Sequence, residues 1–254
     1  MTTYTQIIFQ SFVTLVKERI SQGLTVKEAK KITGGDITGE NSKMPSFTFG
    51  ISATGCITGQ KLAKVEGSSC AICYALRGNY IFPNVRMGFT RRLQAVPLSL
   101  DILSDEWVNY TAAMVTLVKR APNLTNGGPE FRWMDTGDIQ SIPHLLSIFV
   151  VCLLTAAMMH WLPTKEKGML IRWSRTGIPC PENLMIRLSA PMIDRPFSMP
   201  RALQGLSGVG LSHVESHPDH DRRDVCPAPT QGGACLACRN CWDRSKPAVT
   251  YAAH

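Results

Sequence analysis

The sequence predicts an α/β fold with parallel strands, preceded by N-terminal helices and followed by a cysteine-rich C-terminal segment. Three observations support this prediction. In the second half of the chain, short apolar runs with strand character alternate with helical segments, an order typical of βαβ units and a parallel sheet. Helical periodicity marks the first forty residues. Four of the nine cysteines fall within residues 226–241.

Two helices are predicted in the N-terminal segment, residues 1–40. Apolar side chains recur at spacings of three and four over residues 7–20, which indicates an amphipathic helix. Thr25 is followed three residues later by Glu28, the spacing of a capping box. A second short helix is therefore predicted to begin there and to end at the glycines 34 and 35.

The central domain is predicted over residues 41–225. Its first part, 41–73, is rich in Gly, Ser, Thr and Pro and is predicted to be loop with one strand near 47–51. Helices are predicted over 83–96 and 100–120. Four strands are then predicted to alternate with two helices: EFRWM, SIPHLLSIFVVCLLTAA, MMHWL, TKEKGMLIRWSR, NLMIRLSA and GVGLSHV. Ligands gather at the carboxyl ends of parallel strands, which here are the loops DTGDIQS, PTKEK and APMID.

One apolar stretch approaches the length of a membrane span: IPHLLSIFVVCLLTAAMMHWLP. It is bounded by prolines, contains two histidines and is followed at once by TKEKG. We interpret it as a buried helix running into a buried strand, with Cys152 as a small apolar residue inside the helix. The N-terminal residues lack the features of a signal peptide, so we expect the protein to remain in a reducing cytoplasm.

A first constellation of cysteines comprises Cys56, Cys70 and Cys73, with the spacing C-x13-C-x2-C. Two thiolates separated by two residues can chelate one ion or cluster, and the preceding loop is long enough to bring the third. Structural zinc sites take four protein ligands. Three cysteines therefore leave one coordination position open, where a substrate or cofactor would bind.

A second constellation has the spacing C-x8-C-x2-C-x2-C and comprises Cys226, Cys235, Cys238 and Cys241. Three cysteines at successive x2 intervals are typical of a cubane [4Fe–4S] cluster completed by a remote cysteine. Zinc ribbons use two separated pairs instead. The spacing favours iron–sulfur, with zinc as the alternative. The remaining cysteines, Cys152 and Cys180, are predicted to be structural thiols.

Five strings carry a family resemblance: TGCITGQKLAKVEGSSCAICYALRGNYIFPNV, FRWMDTGDIQS, WLPTKEKG, NLMIRLSAPMID and CPAPTQGGACLACRNCW. In this order they resemble an uncharacterised family of bacteriophage proteins, the gene product 88-like proteins, over roughly residues 43–254. The resemblance implies a phage-encoded protein that works in the host cytoplasm.

The element CxxCYA also resembles the cluster loop of phage-associated proteins related to radical S-adenosylmethionine enzymes. This resemblance implies a partial (β/α) barrel, a [4Fe–4S] cluster held by three cysteines at the barrel mouth, and bound S-adenosylmethionine. Tyr74 matches the aromatic position beside the third cysteine. The sequence departs from the common radical pattern, in which the first cysteine lies only three residues before the second.

Two carboxylates in DTGD, Asp135 and Asp138, are candidates to contact the amino group of that cofactor. The alternative is that Asp138, with Gly137, caps a turn into the helix that begins near Ser141. Both interpretations fit the sequence.

Other polar residues are weaker candidates. Thr164 is predicted to be a helix N-cap, and Lys165 and Lys167 would suit a phosphate or carboxylate or form a solvated charged turn. An inward Arg187 would need an anionic partner, and an outward one would need none. Four histidines could approach the second constellation, although the loop composition favours solvation for the first three: His213, His217, His220 and His254.

Two functions from different classes follow. The first is a phage iron–sulfur protein that cleaves S-adenosylmethionine reductively and acts on an unknown substrate. The second is a non-catalytic binding protein, stabilised by iron–sulfur or zinc, that engages nucleic acid or a host or virion component. The net charge of +8 favours anionic partners. The sequence contains no P-loop, GxSxG or HExxH motif and indicates neither the substrate nor the oligomeric state.

Overall fold

Six strands form one sheet in the computed structural model, which describes residues 3–39, 44–121 and 128–253. They lie side by side in chain order, and every neighbouring pair is parallel. The strands are β1 Ser46–Phe49, β2 Glu130–Trp133, β3 Met159–Thr164, β4 Leu184–Ser189, β5 Val209–Glu215 and β6 Ala248–Ala252. The predicted α/β fold with parallel strands is confirmed, and β6 is a strand that the sequence analysis does not predict.

Seven α-helices lie in the described parts of the chain. They are α1 Tyr4–Ser21, α2 Val26–Ile32, α3 Ile57–Leu62, α4 Pro83–Ala95, α5 Asp105–Lys119, α6 Ile142–Leu154 and α7 Lys167–Ser174. Six of them correspond to predicted helices. The helix α3 lies in a region predicted to be loop, because six residues are too few to show a helical repeat of apolar side chains.

Both N-terminal helices begin with a capping box. In it, the side chain of the N-cap residue accepts from the backbone N–H three residues later, and the side chain of that later residue accepts from the backbone N–H of the N-cap residue. Thr3 and Gln6 form it in α1, and Thr25 and Glu28 form the predicted one in α2. Phe12 and Val16 of α1 are fully buried, and both helices pack against α5. The N-terminal helices are therefore part of the apolar core.

The apolar core lies between one face of the sheet and the helices. Phe131, Leu162 and Ile186 point from the central strands into the same cluster as α5 and α6. α6 ends at Leu154 and the chain enters β3 five residues later, which confirms the predicted buried helix followed by a buried strand. Cys152 is fully buried in α6. Among the described residues, no helix is long and apolar enough to cross a membrane.

The opposite face of the sheet is covered by the chain that connects β5 to β6. Arg132 and Trp161 are cross-strand neighbours on this face, and the Trp242 ring lies 5.3 Å from the Trp161 ring. Side chains alternate along strands, so each strand sends one set of residues to the helices and the other to this connection. The cysteine-rich segment therefore covers a face that would otherwise expose large side chains to water.

One predicted role is wrong, and two predicted features lie outside the described residues. Thr164 is wrong as a helix N-cap, because it continues β3 opposite Leu188, and Glu166 precedes the first residue of α7. The predicted boundary between residues 40 and 41 and the residue His254 lie outside the described residues.

Candidate metal centres

The three predicted ligand loops all lie at one edge of the sheet. β2, β3 and β4 end at Trp133, Thr164 and Ser189, and the loops DTGDIQS, PTKEK and APMID begin there. Because the strands are parallel, their carboxyl ends share one edge. The chain between β1 and α3, which leads to Cys56, starts from the same edge.

Cys56 and Cys70 both lie close to Gly59. A Cβ atom placed on Gly59 would lie 3.6 Å from the Sγ of Cys56 and 3.7 Å from the Sγ of Cys70, and only 2.8 Å from the Cβ of Cys56. The Cβ of Cys56 therefore leaves no room for a side chain at residue 59, whereas the two sulfur atoms are at ordinary contact distance. Burial and the charge of Asp138 raise the pKa of Cys56, and the charges of Cys73 and Cys70 raise it further. Cys56 and Cys70 are thus neighbours, and the charge of Cys73 acts on Cys56.

Glu166 ties the Cys56 loop to the end of β3. Its carboxylate accepts the N–H of Thr58 at 2.7 Å and the hydroxyl of Thr58 at 2.8 Å. The Glu166 residue is 4% exposed, so water cannot substitute for these bonds. Two hydrogen bonds from one residue to a buried carboxylate hold the first turn of α3, and Cys56 before it, in one position.

Lys165 provides a cation beside the first three thiols. Its Nζ donates to the carbonyl of Ala190 at 2.7 Å. Burial lowers the pKa of Lys165, whereas the charge of Cys70 raises it. Lys167 is exposed. Of the two predicted anion-binding lysines, Lys165 lies beside the cysteines and Lys167 faces solvent.

Tyr74 joins the first cysteine loop to the end of β2. Its hydroxyl donates to the backbone carbonyl of Asp135 and accepts from Nη2 of Arg132 at 3.0 Å. Asp135 is 9% exposed, and its Oδ1 has no hydrogen-bond partner within the described chain. Burial raises the pKa of Asp135, while the charges of Arg132 and Arg92 lower it. Tyr74 and Asp135 are therefore neighbours, as their candidate roles require.

Asp138 is buried and satisfied by protein donors. It accepts the hydroxyl of Thr164 at 2.6 Å, the N–H of Lys165 at 2.8 Å and the N–H of Ile139 at 2.8 Å. Burial raises its pKa to about 6, against the effect of the Thr164 hydrogen bond. The N-cap of α6 is Ser141, so the predicted capping role of Asp138 is wrong. Its hydrogen bonds with Thr164 and Lys165 instead connect the loop after β2 to the end of β3 and the loop after it.

The four cysteines of the second set lie along the connection between β5 and β6. The N–H of Cys226 donates to the carbonyl of Thr250 in β6 at 2.8 Å, and the Sγ of Cys241 lies 3.2 Å from the hydroxyl of Tyr251. Burial raises the pKa of Cys241 to about 12, and the charges of Cys226 and Cys235 raise it as well.

Arginines surround this second set. Burial is the main cause that raises the pKa of Cys235, and the charges of Cys226 and Cys238 raise it further. The charges of Arg239 and Arg132 lower it. Arg132 also lowers the pKa of Cys241, and its guanidinium lies 4.7 Å from the centre of the Trp161 ring. The Nε of Arg132 and the Nε1 of Trp161 are buried donors without an acceptor in the described chain.

Arg187 fastens the cysteine-rich connection to the sheet. This fully buried side chain donates to three backbone carbonyls: those of Lys246 at 2.6 Å, Asn240 at 2.8 Å and Asp243 at 2.8 Å. A Cβ on Gly210, its neighbour on β5, would fall 2.6 Å from Nη1 of Arg187. The side chain of Arg187 therefore points to the face of the sheet that the cysteine-rich connection covers. Backbone carbonyl oxygens take the place of the anionic partner expected for an inward arginine.

The three predicted histidines that the structure describes lie in β5 and in the chain that follows it. His213 is partly buried on β5, and His217 and His220 are exposed. His213 and His217 line an open pocket of about 560 Å³ whose lining contains no cysteine. Among the described residues, no group of three His, Cys, Asp or Glu side chains is arranged to hold a metal ion, and the nine cysteines are free thiols.

The sequence analysis does not identify three residues that lie around these sites. Arg132 alternates with Phe131 and Trp133 in β2, and a charge in a strand covered on both faces is the signal that could have identified it. Gly210 beside Arg187 is a similar signal for a close approach. Glu166 gives no such signal, because its partner Thr58 is 108 residues away in the sequence.

Comparison with known proteins gives one match. A family model described as Gene product 88 matches residues 22–244. No curated protein and no solved structure matches the chain.

Proposed function

Since the chain belongs to the gene product 88 family, we propose that it is a phage iron–sulfur protein of the host cytoplasm with an open catalytic cluster and a closed second cluster. Cys56, Cys70 and Cys73 hold the first [4Fe–4S] cluster and leave one iron free. The second cluster is held by Cys226, Cys235, Cys238 and Cys241. The substrate class follows from the first site, where S-adenosylmethionine binds.

The observation that carries this proposal is the position of the first three thiols. Cys56 and Cys70 lie beside Gly59, and the charges of Asp138 and Glu166, in the loops that follow β2 and β3, act on both thiols. Parallel α/β sheets bind their ligands at the carboxyl ends of the strands. A cysteine site at this edge can present its open position to a ligand, whereas a structural metal needs no such position.

The sheet supports a partial (β/α) barrel. Strands β1 to β6 follow chain order without a reversal, and helices α5, α6 and α7 cover one face. A sheet in which every strand is added on the same side has the connectivity of a barrel that has not closed. The face opposite the helices is then the inside of the barrel, where Arg132, Trp161 and Arg187 lie.

The residues present fit the proposed groups. Thiolates are the usual protein ligands of iron–sulfur clusters, and hydrogen bonds to the sulfurs tune them. The unpartnered N–H groups of Arg132 and Trp161 lie on the same face as Cys241 and Tyr251. Sulfur atoms of a cluster would provide the acceptors that these buried donors lack.

At the first site, each neighbouring residue has a role. Glu166 holds the Cys56 loop through Thr58, and Lys165 offsets the negative charge of the thiolates. Tyr74 orders the chain after Cys73, and the Oδ1 of Asp135, which is buried without a hydrogen-bond partner, would accept from the amino group of S-adenosylmethionine once the loop opens to admit it. A cluster held by Cys56, Cys70 and Cys73 would supply, when reduced by an external donor, the one electron whose transfer to S-adenosylmethionine gives methionine and a radical able to take hydrogen from a substrate.

The test is the metal content of protein purified without oxygen. About eight irons and eight sulfides per chain are expected, with absorption near 400 nm that bleaches on addition of dithionite. Replacing Cys56, Cys70 and Cys73 together by serine should remove about half of the iron, and so should the corresponding change of the second set. Cys180→Ala is the matched control and should retain all of it.

Catalysis has a separate readout, the release of methionine from S-adenosylmethionine after reduction. The release of methionine should be lost in the variant that lacks Cys56, Cys70 and Cys73, and it should be retained in Cys180→Ala. One or two zinc ions without sulfide would contradict the proposal. That result would leave the alternative of a non-catalytic protein, in which metal at the second set adds folding free energy to the segment that covers the sheet.

A further inference from the structure

The chain that follows Cys73 forms an exposed apolar surface, residues 74–91. Six of the sixteen large apolar side chains exposed in the described chain lie in it: Tyr74, Leu76, Ile81, Phe82, Val85 and Met87. The helix α4, which forms its second half, has no buried residue. Contiguous apolar patches of this kind are uncommon on proteins without partners.

The same surface is positively charged. Residues 67–100 contain no Asp or Glu and four arginines. Arg92 is occupied, since it donates to the carbonyl of Asp36 at 2.7 Å. Arg86 and Arg91 are exposed, and no carboxylate in this stretch neutralises them. A partner that covers this surface therefore needs negative charge as well as apolar side chains.

The composition of residues 74–91 favours a protein over a nucleic acid. It contains four aromatic residues, one Met and three Arg, and no Lys, Asp or Glu. Aromatic residues, Met and Arg are enriched in protein–protein interfaces, and Lys, Glu and Asp are depleted. Interfaces with nucleic acid are more polar. A second copy of this chain is disfavoured, because its net charge of +8 is repelled by the arginines.

The surface is ordered by its own ring contacts and is joined to the first cysteine site. The ring of Tyr80 lies 5.5 Å from that of Tyr74 and 5.7 Å from that of Phe89. Tyr74 in turn binds the carbonyl of Asp135 at the end of β2. Residues 74–91 therefore form one rim of the site that contains Cys56, Cys70 and Cys73.

We propose that residues 74–91 dock an acidic protein segment with apolar anchor residues at the mouth of the first cysteine site. The surface itself needs no metal. That the docked segment is presented to the open cluster, as substrate or as electron donor, rests on the proposed function.

The test uses the full chain and a library of random 12-residue peptides displayed on yeast. Selected peptides should be enriched in Asp or Glu together with aliphatic or aromatic residues. Synthetic copies should bind the double variant Arg86→Glu/Arg91→Glu at least tenfold more weakly, and Phe82→Ala should weaken them too. The matched control is Arg172→Glu/Arg175→Glu, which makes the same charge change at two exposed arginines in and after α7 and should bind normally.

Several outcomes would overturn the docking proposal. They are selected peptides without acidic bias, equal weakening in the control variant, or patch-dependent binding of a single-stranded dT20 probe that exceeds peptide binding. Self-association of the wild-type chain that the Arg86/Arg91 variant abolishes would identify a second copy as the occupant. If circular dichroism shows that this variant does not fold, Arg86→Gln/Arg91→Gln replaces it.

The outcome is separable from that of the proposed function. Peptide binding is measured also on the variant that lacks the first three cysteines. Retained binding in a chain with zinc or no iron would keep the docking surface and remove the iron–sulfur enzyme. Full iron content together with selected peptides that lack acidic residues would keep the iron–sulfur enzyme and remove the docking surface.

Discussion

The two cysteine sets differ in the charges that surround them. At the first set, the carboxylates of Asp138 and Glu166 raise the pKa of Cys56 beyond the effect of burial. At the second set, Arg239 and Arg132 act in the opposite direction on Cys235. Metal binds the thiolate and not the thiol. Burial raises the pKa of thiols in both sets, and the neighbouring cation that opposes it is Lys165 at Cys70 and Arg239 with Arg132 at Cys235.

The sets also differ in position. The second is built into the connection that crosses the sheet, where Cys241 is 9% exposed and lies against Tyr251, and its other three cysteines are partly buried, as are the three of the first set. The first lies at the strand ends beside residues 74–91, most of which are exposed. This difference teaches that similar thiol chemistry can serve two purposes. A set built into a chain connection across the sheet is suited to stabilise the fold, and a set at the strand ends is suited to meet a ligand.

The largest expected effect tests whether the second set is part of the fold. Arg187→Met removes three hydrogen bonds from a buried cation to backbone carbonyls and leaves those carbonyls unpaired. The free energy of unfolding in urea should fall by about 4 kcal/mol. Arg172→Met, at an exposed arginine, should change it by less than about 0.5 kcal/mol. A small loss in Arg187→Met would mean that the cysteine-rich segment is only loosely attached.

A second prediction concerns the acidic surroundings of the first set. The pKa of Asp138 in the folded protein, about 6, is above its ordinary value of 3.8. Its contribution to stability is therefore complete below pH 3.8 and is lost as the pH rises through about 6. The unfolding free energy of the wild type should fall relative to that of Asp138→Asn by up to about 3 kcal/mol between pH 4 and pH 7.

The control for this pH dependence is the exposed Asp105. Asp105→Asn removes an exposed carboxylate from the first turn of α5 and should follow the wild type between pH 5 and pH 7. A constant difference between Asp138→Asn and the wild type over the whole range would show that Asp138 ionises normally. The contrast between an acidic first set and a basic second set would then be weaker.

The smallest expected effect tests Arg132, which contacts Tyr74 beside the first set and lies near the thiols of the second. Arg132→Gln should move the pH at which Cys235 and Cys241 react with iodoacetamide in metal-free protein upward by about one unit, or about 1.4 kcal/mol. Arg132→Lys should restore much of the shift. Alkylation of each cysteine is followed by mass spectrometry. An equal shift at Cys70 would show that Arg132 does not distinguish the two sets.

Much of the fold could be predicted because its signals are local. The capping box of Thr25 and Glu28, the apolar repeat of α1 and the alternating strand and helix runs all depend on residues close in the sequence. The strand β6 gives a weak signal, since its five residues include two alanines and follow a run of turns. Its place is decided by pairing with β5, more than thirty residues earlier.

The sequence by itself determined the cysteine spacings, the alternation of strands and helices and the loops that would reach the ligand edge. Only the tertiary structure decided the order of the strands in the sheet and which charges surround each set of thiols. Glu166 reaches Thr58 across 108 positions, and Arg187 reaches Asn240 across 53. The physical reason is that electrostatic and hydrogen-bond partners are selected by distance in space. Parallel crossovers bring together residues whose separation in the sequence gives no sign of contact.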